Sequence, residues 1–425
     1  MAKALFILIF LCLAGSQLDA AQPKMSLKQC YDYALRRSET VAISAEEINI
    51  AKARYTQALG QMLPQVNILA SEFLQDDSAQ GNTQTPAGNV ANTFTRFSRP
   101  EVAVNVYQNL FQGFKEFTAL RLSKTEQVRD RFLTEDLERL LYKDVATAFY
   151  LIAAIELDIN TTLKEITSVR SRLKELNDRV KLGKSRESEP LTQEADLSLL
   201  EAGLEEKRGN LKVAYEMMSF LTGLDPQPPI DWRDSRAEKL EPLEAYTAVA
   251  EGRPDVKASR KAVEIAKGDI KVKRADLFPN ANAQVNFYPY RVGFQKDIHW
   301  DATFNLNIPV FNWSTYGVIR EAKVRAKQSQ ISAELTKRTA VNEIERAYAA
   351  FQSSLNQLKK YNVAASKAEA SYRKQIEEFG LGLINNLDVL QSQRTFFSAV
   401  RLRNDARVKT WADSVALRII AGMKP

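Results

Sequence analysis

The sequence predicts an α+β fold that is mostly α and consists of two internal repeats. Paired landmarks recur about 200 residues apart, which is the signature of a duplicated unit; they are Phe111 and Phe311, Gly183 and Gly382, and Gly223 and Gly422. Two segments of more than 60 residues contain neither Pro nor Gly, as long helices require. Four short segments alternate apolar with polar residues, which predicts strands.

The N-terminus has the pattern of a secretory signal peptide over residues 1–20. Lys3 precedes an apolar run at residues 4–14, and a small polar stretch ending at Ala20 follows. Cys12 lies inside the run between large apolar residues, so no lipid anchor is expected. After cleavage Cys30 is a lone thiol, which cannot form an intrachain disulfide, and we expect its role to be structural.

The first repeat is expected over residues 21–225 and the second over residues 243–425. Each repeat has the order helix, strand, loop, strand, long helix, tight break, helix. A Pro-rich linker at residues 226–242 separates them, because Pro interrupts a helix. In the first repeat a longer loop at residues 76–89 carries turn-forming residues throughout.

The strands are expected at about residues 65–74, 100–109, 280–288 and 300–309. In the second repeat, amides and Thr alternate with apolar residues, as in a membrane barrel whose polar face lines a wet lumen. The residues expected to face lipid are Val285, Phe287, Phe304 and Leu306, while Asn286 and Asn305 face inward. A soluble sheet with one solvated face gives the same alternation.

Four strands cannot close into a barrel, which needs at least about eight. An open sheet edge is also not tolerated in lipid. A membrane-embedded sheet of this chain therefore requires several copies.

The long helices are expected at residues 114–180 and 318–379, with apolar residues spaced by three and four. About 65 helical residues at 1.5 Å each form a rod on the order of 100 Å. These helices alone also suit a plain coiled-coil tether. A periplasmic or surface coiled-coil protein of structural or adhesive function is therefore the alternative.

Charge and composition exclude several classes of function. The 59 basic and 52 acidic residues are interspersed, whereas a nucleic-acid binder clusters its Lys and Arg. His299 is the only histidine and has no second His or Cys to complete a metal site. No nucleophile motif is present, so the sequence predicts no enzyme, no cofactor and no metal.

The doubled layout, the signal peptide and the segment at residues 379–391 together resemble the TolC family of outer-membrane channel proteins. That segment, Phe-Gly-Leu-Gly-Leu-Ile-Asn-Asn-Leu-Asp-Val-Leu-Gln, carries a Gly-containing tip followed by Leu-Asp-Val-Leu. The resemblance covers residues 26–422. It implies a homotrimeric outer-membrane β-barrel, four strands per chain, continued by a long periplasmic α-helical coiled-coil barrel.

The resemblance also implies partners and sites. A passive duct of this kind sits in outer-membrane lipid and works with a periplasmic adaptor protein and an inner-membrane pump, for efflux or type I secretion. The implied periplasmic gate includes Asp388 and its repeat partner Glu189, with Gln391 where some family members carry a second Asp. An acid in the first turn of a helix is the competing interpretation of both. The helix-break tips, with Gly183, Lys184, Gly382 and Leu383, are expected to contact the adaptor.

Overall fold

The computed structural model describes residues 24–74, 98–233, 235–292 and 296–423. The expected signal peptide at residues 1–20, with Cys12, and the expected loop at residues 76–89 lie outside these ranges. The described chain is mostly helical and contains a four-stranded antiparallel sheet. The predicted fold class is confirmed in these two features.

The elements follow one another in a simple order. They are α1 (Leu27–Arg37), α2 (Glu39–Gly60), β1 (Gln65–Leu74), β2 (Ser98–Gln112), α3 (Lys115–Lys181), α4 (Ser188–Thr222), α5 (Leu243–Thr247), α6 (Pro254–Ala275), β3 (Asn280–Arg291), β4 (Trp300–Asn307), α7 (Trp313–Gly380) and α8 (Asn386–Ile420).

Corresponding helices of the two halves have nearly the same length. α2 and α6 each have 22 residues, α3 and α7 have 67 and 68, and α4 and α8 each have 35. Each half therefore contains a helix leading to a strand, a second strand leading to a very long helix, and a final helix.

The sheet has the strand order β1-β2-β3-β4, with every neighbouring pair antiparallel. β1 matches its expected bounds, while β2 and β3 are longer than expected and β4 is shorter. β3 continues through Pro289 because that residue lies where the β2–β3 register shifts, between Val102 and Val104. A Pro is tolerated at such an irregularity, since the missing N–H is not needed for the ladder.

The chain forms two compact units, one of which comprises residues 40–137 and 248–342 and contains the sheet. Its helices continue the order of the strands. α2 contacts α3 through Ser44 and Thr134, whose hydroxyl oxygens are 2.9 Å apart. Gly268 lets α6 approach Leu122 of α3 closely.

α6 and α7 are joined in the same unit at the start of α6. The Arg253 guanidinium is buried and donates to the Ala340 carbonyl of α7 over 3.5 Å. Just before α6, the Glu251 carboxylate forms an ion pair with Lys337 of α7, with 2.7 Å between Oε1 and Nζ. The lateral order of helices is therefore α2-α3-α6-α7, with α2 and α7 at the two edges.

The other unit comprises residues 24–39, 138–247 and 343–423. Its main core packs α1 and α3 against α4, α8 and the linker, around Cys30, Phe149, Ile152 and Met218. Ion pairs connect α3 to the two final helices: Asp158 pairs with Lys207 of α4 and Arg401 of α8 at 2.9 and 3.3 Å. This unit contains both helix-break tips.

Candidate functional site

The polar face of the sheet is a grid of amides. Antiparallel pairing aligns Asn105, Asn286 and Asp301 in one row across three strands. The Asn105 amide donates to the Asn286 oxygen over 2.7 Å, and the Asn286 amide donates to Asp301 over 2.8 Å. Further rows contain Gln65, Tyr107, Gln284 and Thr303, and Asn109, Asn282 and Asn305.

The opposite face of the sheet is apolar and uncovered in the single chain. Register places Val66, Val106, Val285 and Ala302 in one row, and Ile68, Val104, Phe287 and Trp300 in the next. Phe304 is 75% exposed and Leu306 66% exposed. The four residues expected to face lipid therefore lie on the apolar face, because they alternate with the amides along β3 and β4.

Aromatic side chains gather where strands become helices, a feature that our sequence analysis missed. Between β2 and α3 the rings of Phe111, Phe114 and Phe117 follow one another, with centroids 5.2 and 6.4 Å apart. Between β4 and α7 the rings of Phe311, Trp313 and Tyr316 do the same, at 6.4 and 5.9 Å. These aromatic residues lie just outside each alternating segment, a position that could have been recognised in the sequence.

At the opposite end of the strands, Tyr290 and Trp300 are each more than half exposed, and strand register places them on the apolar face beside Val102 and Phe287. The apolar face is thus bordered by exposed aromatic rings at both ends of the strands. Such rings are the anchors that proteins place at the two surfaces of a bilayer.

Both helix-break tips are Schellman endings. At the end of α3, Gly183 donates to Val180 O and Lys184 N donates to Arg179 O, over 2.9 and 2.8 Å. At the end of α7, Gly382 N donates to Phe379 O and Leu383 N donates to Glu378 O in the same pattern. Gly183 and Gly382 have φ of 67° and 75°, a conformation that Gly adopts without the Cβ penalty.

The tips expose apolar side chains. Leu182, Leu381, Leu383 and Leu387 are each at least 70% exposed. A Cβ added at Gly183 or Gly382 would meet no heavy atom within 4 Å among the described neighbours. The tip surface is therefore open and apolar.

The predicted gate acids take part in local helix-end contacts. Asp388 accepts from the Asn385 N–H over 3.3 Å, while the Asn385 side chain accepts from the Asp388 N–H over 3.0 Å, a capping box at the start of α8. Glu189 accepts from the Ser185 hydroxyl over 2.6 Å in the first turn of α4. Asp388 and Gln391 are exposed and Glu189 is half-buried. Their gate role stays a prediction.

A cation–π cluster supports the tip of α7. The guanidinium carbons of Arg172 and Arg179, both on α3, lie 3.7 and 4.1 Å from the ring centroid of Phe379. Arg172 also donates two bonds to the Asn386 oxygen on α8, over 3.2 and 3.0 Å. Burial lowers the pKa of the Arg172 guanidinium, partly opposed by the carboxylate of Glu175. Residues more than 200 positions apart meet here, and no local sequence pattern indicated the cluster.

In the described part of the chain, Cys30 and His299 form backbone hydrogen bonds. Cys30 is buried in the core, and burial raises the pKa of its thiol to about 12. The carbonyl of His299 accepts from Tyr288 N over 2.8 Å beside β4. Across the described ranges, no group of three or more His, Cys, Asp or Glu side chains is arranged to hold a metal ion. Within the same part of the chain, no helix combines the length and apolarity that a membrane crossing requires.

Known proteins share this layout. Residues 245–423 match the family model described as Outer membrane efflux protein. This part of the chain is therefore similar to that family. The efflux protein BepC of Brucella suis is 22% identical over 382 residues, covering 88% of this chain and 79% of BepC. The alkaline protease secretion protein AprF of Pseudomonas aeruginosa is 22% identical, covering 69% of this chain and 63% of AprF.

The fold of this chain matches that of a solved transmembrane channel along almost its whole length. CusC superimposes with a TM-score of 0.83 over 98% of this chain and 96% of CusC, at 16% sequence identity. At that identity the likeness establishes the fold, and the predicted family resemblance is confirmed by the three comparisons together.

Proposed function

We propose that this chain is the exit duct of an efflux or secretion system, located in the outer membrane and extending into the periplasm. The observation that carries the proposal is the two-faced sheet, amide-lined on one side and apolar on the other, with open edges at β1 and β4. The names of BepC and AprF support the same function, one for efflux and the other for protease secretion.

The open edges support assembly from several copies. β1 and β4 run antiparallel to one another, because each of the three successive pairs in the sheet is antiparallel. β4 of one copy can therefore pair with β1 of the next in the same alternating pattern. Three copies give a twelve-stranded barrel, above the lower limit of about eight, and leave no edge in lipid.

The strand length suits a bilayer. β3 has 12 residues, so at about 3.4 Å per residue it extends for about 40 Å. A tilt of about 35–45° reduces the height to about 30 Å, close to the ~25 Å apolar band of outer-membrane barrels. The exposed aromatic rings at both ends of the strands then lie at the two membrane surfaces.

The tips are the surface that we assign to the periplasmic adaptor, through which an inner-membrane pump would supply the driving force. Exposed leucines beside Gly183 and Gly382 give an apolar contact area on ends held by rigid Schellman turns. Asp388, Gln391 three residues further on in the same motif, and Glu189, the repeat partner of Asp388, would line the periplasmic opening. In this function the protein is a passive duct and catalyses no reaction.

Crosslinking in outer membranes tests the proposal. An amine-reactive crosslinker should give a ladder that ends at three copies, and the purified oligomer should need detergent to stay in solution. A water-soluble monomer would contradict it. A detergent-independent oligomer would instead favour the coiled-coil tether.

A further inference from the structure

One acidic side chain is buried without a partner at the junction between β2 and α3. Glu116 lies in the first turn of α3 and is only 9% exposed. Its Oε1 atom is shielded from solvent and has no hydrogen-bond partner among the described residues. A buried carboxylate normally has a cation or a hydrogen-bond donor beside it, because removing a charge from water costs free energy. The donor for this oxygen therefore comes from outside the described residues.

Other features of the junction do not account for the buried acid. The adjacent Lys115 forms an ion pair with Asp276 at the end of α6, with 3.1 Å between Nζ and Oδ1. The helix dipole favours an acid in the first turn of a helix, but it does so for an exposed carboxylate as well. In the second repeat, Tyr316 stands at the corresponding place between β4 and α7. A junction of this kind therefore forms without the acid.

Glu116 lines a pocket of about 390 Å³ that also contains aromatic rings and amides. Phe114 and Phe117 are 63% and 61% exposed, and both line the pocket with Phe111. The face of such a ring attracts a cation. The amides include that of Gln112, whose oxygen can accept an N–H group. The pocket thus combines a negative charge, ring faces and hydrogen-bond acceptors, which together suit an ammonium group.

The backbone of Phe114 has a conformation that bulky residues rarely adopt. Its φ is 62°, in the left-handed region. The ring of this residue lies between those of Phe111 and Phe117, with centroids 5.2 and 6.4 Å away. Backbone strain of this kind clusters at sites that hold a ligand. The conformation of Phe114 therefore agrees with a binding role for the three rings.

Two residues of the pocket lie on the apolar face of the sheet. Register through β3 places Gln108 in the row of Phe304, and Phe111 in the row of Leu306. Both rows belong to the apolar face, and the pocket lies at the end of β2 that leads into α3. In a membrane-embedded barrel this end of the strands is at the level of the lipid headgroups, where aromatic anchors are found. A lipid headgroup can therefore supply the ammonium group.

We propose that this pocket binds the primary ammonium group of a membrane lipid, with Oε1 of Glu116 accepting one of its N–H groups and the rings of Phe114 and Phe117 lying against its charge. A primary ammonium is favoured over a quaternary one, because only the primary group has N–H donors for the unpartnered oxygen. Phosphatidylethanolamine is a phospholipid that carries this group. The proposal rests on the proposed function, which places the apolar face of the sheet in the bilayer.

Native mass spectrometry of the purified oligomer tests the site. The protein should bind up to one phosphatidylethanolamine per copy, in preference to phosphatidylcholine or phosphatidylglycerol with the same acyl chains. Phosphatidylcholine carries the positive charge without N–H donors, and phosphatidylglycerol carries no cation. Glu116→Gln, which keeps the shape of the side chain, should weaken phosphatidylethanolamine binding about tenfold or more, as expected for one charge-assisted hydrogen bond. Glu135→Gln, at an exposed acid about 28 Å further along α3, should leave binding unchanged.

A second variant tests the aromatic part of the site. Phe117→Leu removes one exposed ring and keeps the carboxylate, so it should weaken phosphatidylethanolamine binding about two- to fivefold while the amount of oligomer stays normal. Equal binding of the three lipids, or binding that Glu116→Gln leaves unchanged, overturns the site. If dissolved ethanolamine displaces the lipid at an affinity equal to that of the lipid itself, the pocket takes a soluble amine and the lipid assignment is wrong.

Crosslinking of the same samples separates this inference from the proposed function. A detergent-dependent oligomer of three copies that shows no preference for phosphatidylethanolamine overturns the lipid site and leaves the duct intact. A water-soluble monomer overturns both, because the apolar face would then not lie in a bilayer.

Discussion

Placing one arginine on each face of β4 separates a membrane-embedded sheet from a soluble one. Phe304 and Asn305 are neighbours near the middle of an eight-residue strand, and their side chains point to opposite faces. Phe304 is 75% exposed on the apolar face. Asn305 lies on the amide face and donates to Asn282 over 3.0 Å.

The two substitutions should differ strongly in cost. An Arg on the lipid face near the bilayer midplane costs about 2–4 kcal/mol. Loss of the phenyl group from an apolar environment adds about 1.5–3 kcal/mol, so Phe304→Arg should cost about 4–7 kcal/mol per copy. Asn305→Arg gives up one exposed hydrogen bond, worth at most about 1.5 kcal/mol, in a wet lumen. Phe304→Arg should therefore cost at least about 2.5 kcal/mol more than Asn305→Arg, which is close to a hundredfold change in the ratio of folded to unfolded protein.

The measurement is a urea titration of protein refolded into lipid vesicles, read by tryptophan fluorescence and by the heat-sensitive oligomer band on a gel. Phe304→Leu is the matched control, because it keeps an apolar side chain on the lipid face and should cost little. Equal costs for the two arginine variants would refute the face assignment. A larger cost for Asn305→Arg than for Phe304→Arg would mean that the amide face of the sheet points toward lipid and the apolar face toward the lumen.

Four further predictions concern the junctions, the tips and one ion pair. Gly113→Ala should destabilise the chain by about 2–4 kcal/mol, because φ is 60° and the added Cβ would lie 2.7 Å from the Ala275 oxygen, whereas Gly60→Ala should not lower the urea midpoint. Gly382→Arg should abolish export while trimer abundance stays normal, whereas Gly382→Asn, whose side chain tolerates positive φ, should retain export. If Gly382→Arg only lowers the amount of folded protein, the tip has a purely structural role. Asp388→Ala should reduce cation selectivity and block by periplasmic divalent ions in single-channel recordings. Asp388→Asn, which can keep the capping contact, should show the same two reductions. Wild-type selectivity and block in the Asn variant would show that Asp388 acts only as a helix cap. Hydrogen bonds from Lys337 and Arg260 lower the pKa of Glu251 to about 2. The stabilising contribution of this carboxylate should therefore be present above about pH 4.5 and be lost as the pH falls toward 2. When unfolding is measured across this acid range, Glu251→Gln should lose less stability than the wild type.

Local patterns predicted the elements well where the chain follows one period. The Pro-free and Gly-free segments led to the expected helices at residues 114–180 and 318–379. α3 is displaced from its expected bounds by one residue at each end, and α7 begins five residues earlier and ends one residue later than expected. Alternation located all four strands. Strand ends were less accurate. β3 was expected to end at about residue 288 but continues through Pro289, because the register shift beside this residue accommodates the ring, and β4 ends at Asn307, before Pro309.

Contacts between distant parts of the chain had no such signal. Phe379 is held between two arginines of α3, and Asn386 accepts from one of them, yet nothing in the local spacing of these residues pairs them. The capping box of Asp388 could have been predicted, since Asn385 precedes it by three residues in the usual pattern. The aromatic rings beside the strands were equally readable and would have strengthened the membrane assignment at the sequence level.

The amide grid on the polar face has a consequence for transport speed. Asn and Gln side chains each offer donors and acceptors of ordinary strength, so a polar solute beside them exchanges one water-like partner for another at little net change in free energy. A solute therefore binds only weakly and briefly to a lumen surface of this kind. Flux through the barrel should therefore rise in proportion to solute concentration without reaching saturation, and the pace of export would be determined by the partner proteins that load the duct.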